Sequence, residues 1–266
     1  DFNNNPPPSG GALSGRSLAA QAGSLLARAG ESVGDTASFW QYDGENFSSA
    51  APVQVTATLR KAVTNETGAT ANIWVANDQW SDFTKDQTDL ITQQKVDALA
   101  DAFLTEGPGN DIYDWLTAIL GAPWGPHENP DLISPEQYGN TVDILLVDVL
   151  RDQQTDGGVV GLFFSKDNYW KTDPNDGVDS FRDYSNERVM FYLDAPMYGQ
   201  RDAGQWSAED PWPQLGISTL AHEFQHMIHY YQKTVLLRGM GDTATWLNEM
   251  ASLLTEDLLS EKMQNK

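Results

Sequence analysis

Three of the four histidines in this 266-residue chain crowd into positions 222, 226 and 229. That crowding restricts the local fold more than any other feature. Residues four apart on an α-helix project from one face, so His222 and His226 can aim both imidazoles at a single point. The flanking sequence predicts such a helix. Pro213 suits a first helical turn after Asp210, because a proline there sacrifices no hydrogen bond. Apolar residues then recur at Ile217, Leu220/Ala221, Phe224, Ile228 and Tyr231, a spacing near the helical repeat. The line His222, His226, His229 falls almost opposite that stripe. One side of the helix is therefore suited to a core and the other to an open cleft.

The pentapeptide His222-Glu-Phe-Gln-His226 has the H-E-x-x-H form of zinc-dependent peptidases. Its histidines would grip zinc, and Glu223 would take a proton from bound water. The competing reading is an amphipathic helix with histidines on its wet face. A zinc site of this kind needs a third protein ligand and one open position. Asp242, Glu249, Glu256 and Asp257 lie within reach downstream. Residues 242–259 read as a second helix, capped by Asp242 or Thr243, with Leu247, Met250/Ala251, Leu254 and Leu258 as its apolar stripe. Glu249 sits among these apolar residues, where a carboxylate is costly to bury without a cation. Glu256 falls in a wetter stretch. Glu249 is the expected third ligand, against the alternative of a solvated helix glutamate. The residues after His226, Met227-Ile-His-Tyr-Tyr-Gln232, lack the glycine and third histidine of the metzincin pattern.

Leu220-Ala-His-Glu-Phe-Gln-His-Met-Ile-His-Tyr230 followed by Trp246-Leu-Asn-Glu249 resembles the hyicolysin family of bacterial metallopeptidases. Ile73-Trp-Val-Ala-Asn77, Val142-Asp-Ile-Leu-Leu-Val-Asp148 and Ser185-Asn-Glu-Arg-Val-Met-Phe-Tyr-Leu-Asp194 extend the likeness over roughly residues 50–257. The resemblance implies a zinc endopeptidase, secreted or on the bacterial cell surface, acting on protein or peptide substrates. It implies a zincin-type α+β fold, a twisted mixed β-sheet packed with the metal-binding helix. By position, His222, His226 and Glu249 would bind zinc, and Glu223 would be the catalytic acid/base. Broader thermolysin-like relatives carry an aspartate four residues after the third ligand. That position is Leu253 here, so support for the metal histidines must come from elsewhere. Those relatives also place oxyanion donors after the third ligand. Only 17 residues follow Glu249, so the donor lies upstream or the chain is an incomplete piece.

A formal net charge of −22 argues against nucleic-acid binding, which needs a basic footprint. With no cysteine, disulfides and thiolate metal sites are excluded. No apolar run is long enough to span a membrane. Residues 1–35 form a Pro/Gly/Ser-rich arm, 36–80 a β-rich part, and 81–266 the zincin-like catalytic part. The chain begins at Asp1 without methionine and reads as a mature or trimmed product. Strands are expected at 142–149, 159–165 and 188–194, and a helix at 88–105. From element order, Gly161, Leu162 and Phe163 form a candidate edge strand for pairing with an extended substrate, an ordinary core strand being the alternative. Asp173, Asn175, Asp176 and Asp179 surround a glycine with hard oxygen ligands, as calcium loops do. They lack EF-hand spacing and its final glutamate, and a solvated turn accounts for them as well. Two other functions stay open: a catalytically weak zincin scaffold that binds host or matrix proteins, and a zinc hydrolase for a non-peptide amide.

Overall fold

The computed structural model describes residues 31–44, 50–81, 90–105, 111–138, 140–153, 158–173, 181–201, 205–237 and 243–263. In chain order the main elements are β1 (Thr36–Asp43), β2 (Ala51–Thr64), β3 (Thr70–Ala76), α1 (Gln93–Phe103), α2 (Ile112–Leu120), α3 (Pro135–Tyr138), β4 (Thr141–Val147), β5 (Gly161–Leu162), β6 (Met190–Asp194), α4 (Ala195–Gly199), α5 (Pro211–His229) and α6 (Thr245–Met263). The expected strand at 159–165 shortens to the two residues of β5, because Ser165–Asn168 turn into a 3-10 helix. The helix expected from 88 begins at Gln93, where the Thr92 side chain accepts from the Lys95 amide.

The fold is α+β with one mixed sheet in the order β1-β2-β3-β4-β6-β5. Strands β1 to β3 pair antiparallel, β3-β4 and β4-β6 pair parallel, and β5 runs antiparallel to β6 at the edge. The central strands Thr-Ala-Asn-Ile-Trp-Val-Ala and Thr-Val-Asp-Ile-Leu-Leu-Val are buried at every position but the first. Such near-continuous apolar runs are what a sheet covered on both faces requires. Ile73, Val75, Ile144, Leu146, Phe191 and Leu193 point to one core, with Trp74, Leu145, Val147 and Tyr192 in the other.

The first core holds α5. Phe224, inside the pentapeptide, meets Phe103 edge-on with ring centroids 5.0 Å apart and stacks on Tyr113 at 5.3 Å. The periodicity read from the sequence therefore places the apolar side of α5 inward. At its first turn α5 carries Pro211 and Pro213, and at its last it passes into a π-helical turn, Tyr230–Val235. The stretch before β6 is tied to β1 through buried polar groups. Asn186 accepts from the Trp40 amide at 2.7 Å and donates to the Trp40 carbonyl at 2.9 Å.

Helix α6 reverses the expected orientation of its apolar stripe. Leu247, Met250, Leu254 and Leu258 are exposed, the last by 63%. Among the described side chains of that helix, Asn248, Ser252, Thr255 and Leu259 are buried. The reason lies in the partner. Among its contacts α6 packs on the histidine-bearing side of α5, and that polar surface is matched by the polar side of α6. Ser252 Oγ donates to Gln225 Oε1 of α5 at 2.5 Å, a pairing an apolar stripe could not make.

Candidate metal centre

One helical turn separates His222 from His226, and their rings lie 4.7 Å apart, edge to face. Helix α6 brings Glu249 against both. Its Oε2 is 3.3 Å from His222 Nε2, and its Oε1 is 3.5 Å from His226 Nε2. One donor atom from each of the three residues falls within 4.8 Å of the others. Donors about 2.1 Å from a tetrahedral zinc ion stand about 3.4 Å apart, close to each of these two separations, which use different oxygens of Glu249. Glu249 keeps 48% of its side chain exposed. It reaches the histidines as expected, but not because apolar neighbours bury it.

Glu223 is buried beside this triangle, 6% exposed. Its Oε2 accepts a hydrogen bond from the Phe163 backbone N–H at 2.6 Å. This ties the glutamate to the residue that follows β5. The approach is close: a Cβ built on Gly161 would stand 2.4 Å from Thr219 Cγ2 and 2.9 Å from Glu223 Cγ, both on α5. Gly161, Leu162 and Phe163 therefore do lie at the sheet edge and alongside the glutamate. Burial pushes the Glu223 carboxyl above the usual carboxylate range, while His226, His222 and the Phe163 amide pull it partly back.

Sequence reasoning passed over Glu256. Its Oε1 lies 2.7 Å from His222 Nδ1, and Ser218 Oγ donates to its Oε2. On one helix Glu249 and Glu256 are seven residues, about two turns, apart and share a face. That spacing was the available signal. Burial opposes charging of His222, but Glu256, Glu223 and Glu249 outweigh it and raise its pKa above the ordinary histidine value. Contact with His226, and less so with His222, holds the Glu249 carboxyl below its ordinary range against burial; for Glu256 burial is outweighed by its hydrogen bonds with His222 and Ser218. Ser252 Oγ sits beside the His226 ring, 3.2 Å from Nδ1 and 3.4 Å from Nε2.

The other two histidines have partners elsewhere. His229 faces the Thr243 hydroxyl at 2.8 Å. The Tyr230 hydroxyl donates to that of Tyr169 inside the core. His127 packs on Trp124 and approaches the Ile133 carbonyl at 3.0 Å. Of the acidic loop, Asp173 is described, while Asn175, Asp176 and Asp179 lie outside the described residues.

Two helix-borne histidines and a carboxylate from a second helix form a group that could hold a metal ion, with a buried glutamate beside it. The chain belongs to the Peptidase M30 family, whose sequence pattern matches residues 52–266. This is the family that the segments around 220–249 resemble. The chain is also 24% identical over 195 residues to the neutral metalloprotease ShpI of Staphylococcus hyicus, covering 73% of this chain. It spans about a third of that relative's length, 35%. No solved structure matches the chain. Among the described residues, no helix is long and apolar enough to cross a membrane.

Proposed function

We propose that this chain is a zincin-type, zinc-dependent endopeptidase. The observation that carries the proposal is the triangle of His222, His226 and Glu249, one donor atom of each within 4.8 Å of the others, beside the buried Glu223. Nε2 of each histidine and the Glu249 carboxylate would hold the zinc. When bound there, zinc supplies a Lewis acid that acidifies water and polarises the scissile carbonyl. Glu223 accepts the proton from water and passes it to the leaving amine. The Phe163 N–H occupies one oxygen of Glu223 and leaves the other for that proton. Gly161 and Leu162 of β5, at the sheet edge, would pair with an extended substrate, while Phe163 beside them has its N–H on Glu223. Export from the cell, or display at its surface, belongs to the same proposal, supported by the family resemblance.

The test is cleavage of denatured casein with and without a chelator, then after zinc is returned. A Glu223→Gln variant should keep its zinc and lose about 10²- to 10⁴-fold in turnover, the usual contribution of a general base. Full activity in that variant would remove Glu223 from the chemistry. Adhesion to a matrix protein with no cleavage would favour the binding-scaffold reading instead.

A further inference from the structure

His222 is gripped at both ring nitrogens by carboxylates from the same helix. Nε2 faces Glu249 at 3.3 Å, and Nδ1 faces Glu256 at 2.7 Å. A neutral imidazole carries one N–H and one lone pair. If Nδ1–H donates to Glu256, the lone pair must be on Nε2, the nitrogen turned toward Glu249 and the candidate metal position. Glu256 is itself held. Ser218, one turn before His222 on α5, donates to its other oxygen. The carboxylate thus spans two successive turns of α5 and fixes the ring plane as well as the tautomer. His226 differs, since the Ser252 hydroxyl lies at its ring edge.

From this geometry we infer that Glu256 is a positioning residue for the metal centre. It sets the tautomer and orientation of His222 and strengthens Nε2 as a donor, the part that the Leu253 position does not fill. The inference rests on the metallopeptidase reading only in requiring an ion at the triangle. Such outer partners commonly contribute about 10- to 100-fold in metal affinity.

The experiment measures zinc affinity by competition with a chromophoric chelator, and the visible absorption spectrum of the cobalt-substituted protein. Melting of the metal-free protein serves as the control for folding. Glu256→Ala should bind zinc about 10- to 100-fold more weakly and alter the cobalt spectrum. Glu256→Gln keeps an acceptor for Nδ1–H without the charge, and should lose less than the alanine variant. Ser218→Ala, which leaves Glu256 in place but frees one oxygen, should lose less again. If Glu256→Ala does not fold, the glutamine and serine variants decide the matter. Zinc affinity within about twofold of the wild type in every folded variant, with unchanged cobalt spectra, would overturn the inference. A wild-type chain that takes up neither zinc nor cobalt would instead overturn the metallopeptidase reading beneath it.

Discussion

Gly161→Ala tests the link between the sheet edge and the buried base. The new methyl would sit 2.4 Å from Thr219 Cγ2, 2.9 Å from Glu223 Cγ and 3.2 Å from Glu223 Oε1. Ordinary carbon contacts begin near 3.5 Å, so the strand and α5 must part by roughly 1 Å. The Phe163 N–H to Glu223 bond is 2.6 Å now, and the same displacement would take it to about 3.6 Å, beyond hydrogen-bonding range. Overpacking should lower stability by about 1–3 kcal/mol. A base displaced by this much should cost about 10²-fold in kcat/KM. Zinc stoichiometry should hold, since no ligand touches Gly161. Thr219→Ser removes the nearest methyl and keeps the hydroxyl that donates to the Leu215 carbonyl at 2.8 Å. Added to Gly161→Ala, it should restore part of the activity, with the Glu223 contact limiting recovery. Peptide hydrolysis, metal content and thermal melting are the three measurements. A Gly161→Ala enzyme with wild-type kcat/KM would refute the close-approach argument. So would a double variant no better than the single one.

Two further substitutions probe the frame around the site. Leu254→Lys on α6 should change stability by no more than about 0.5 kcal/mol by urea unfolding, since the side chain already faces solvent. A loss of about 3 kcal/mol or more would mean that this stripe is buried after all. Asp194 is raised to about 7 by burial, although it accepts from the Met197 and Val149 amides. A carboxyl raised in the folded state binds more protons there than when unfolded. Its contribution is present below the ordinary value near 3.8 and is lost as pH rises toward 7. Relative to wild type, Asp194→Asn should therefore gain stability across that window, by at most about 1.4 kcal/mol per pH unit. A difference between the two proteins that does not vary with pH would refute the shift.

The metal helix was legible because both of its signals are local. Histidine spacing and apolar periodicity are read within a few turns, and Phe224 falls in the core as that periodicity demands. Central strands were legible as apolar runs, but their mixed direction depends on pairings 47 and 71 residues distant, such as Asp143 with Met190 and Thr70 with Thr141. Glu249 does lie beside both histidines, but the burial argument that singled it out fails. Apolar residues on α6 do not imply burial when the surface receiving the helix is polar. Glu256 was dismissed for its wet surroundings, and its partner His222 lies 34 positions away. Near Glu256 in the chain, only its two-turn spacing from Glu249 hints at that contact. The edge strand was placed from element order, whereas its approach to Thr219 and Glu223 emerges only in three dimensions.

The inverted attachment of α6 bears on how long such an enzyme lasts. Of the residues that α6 buries, Leu259 is the large apolar one, and a single such side chain contributes only about 1.5–3 kcal/mol. Hydrogen bonds and ion pairs to α5 supply the rest, and a shared ion would act as a rivet between the two helices. Withdrawing it should let α6 open before the sheet does, which amide exchange along residues 245–263 would register as early loss of protection. Occupancy of the centre would set the working lifetime of the molecule as well as its rate.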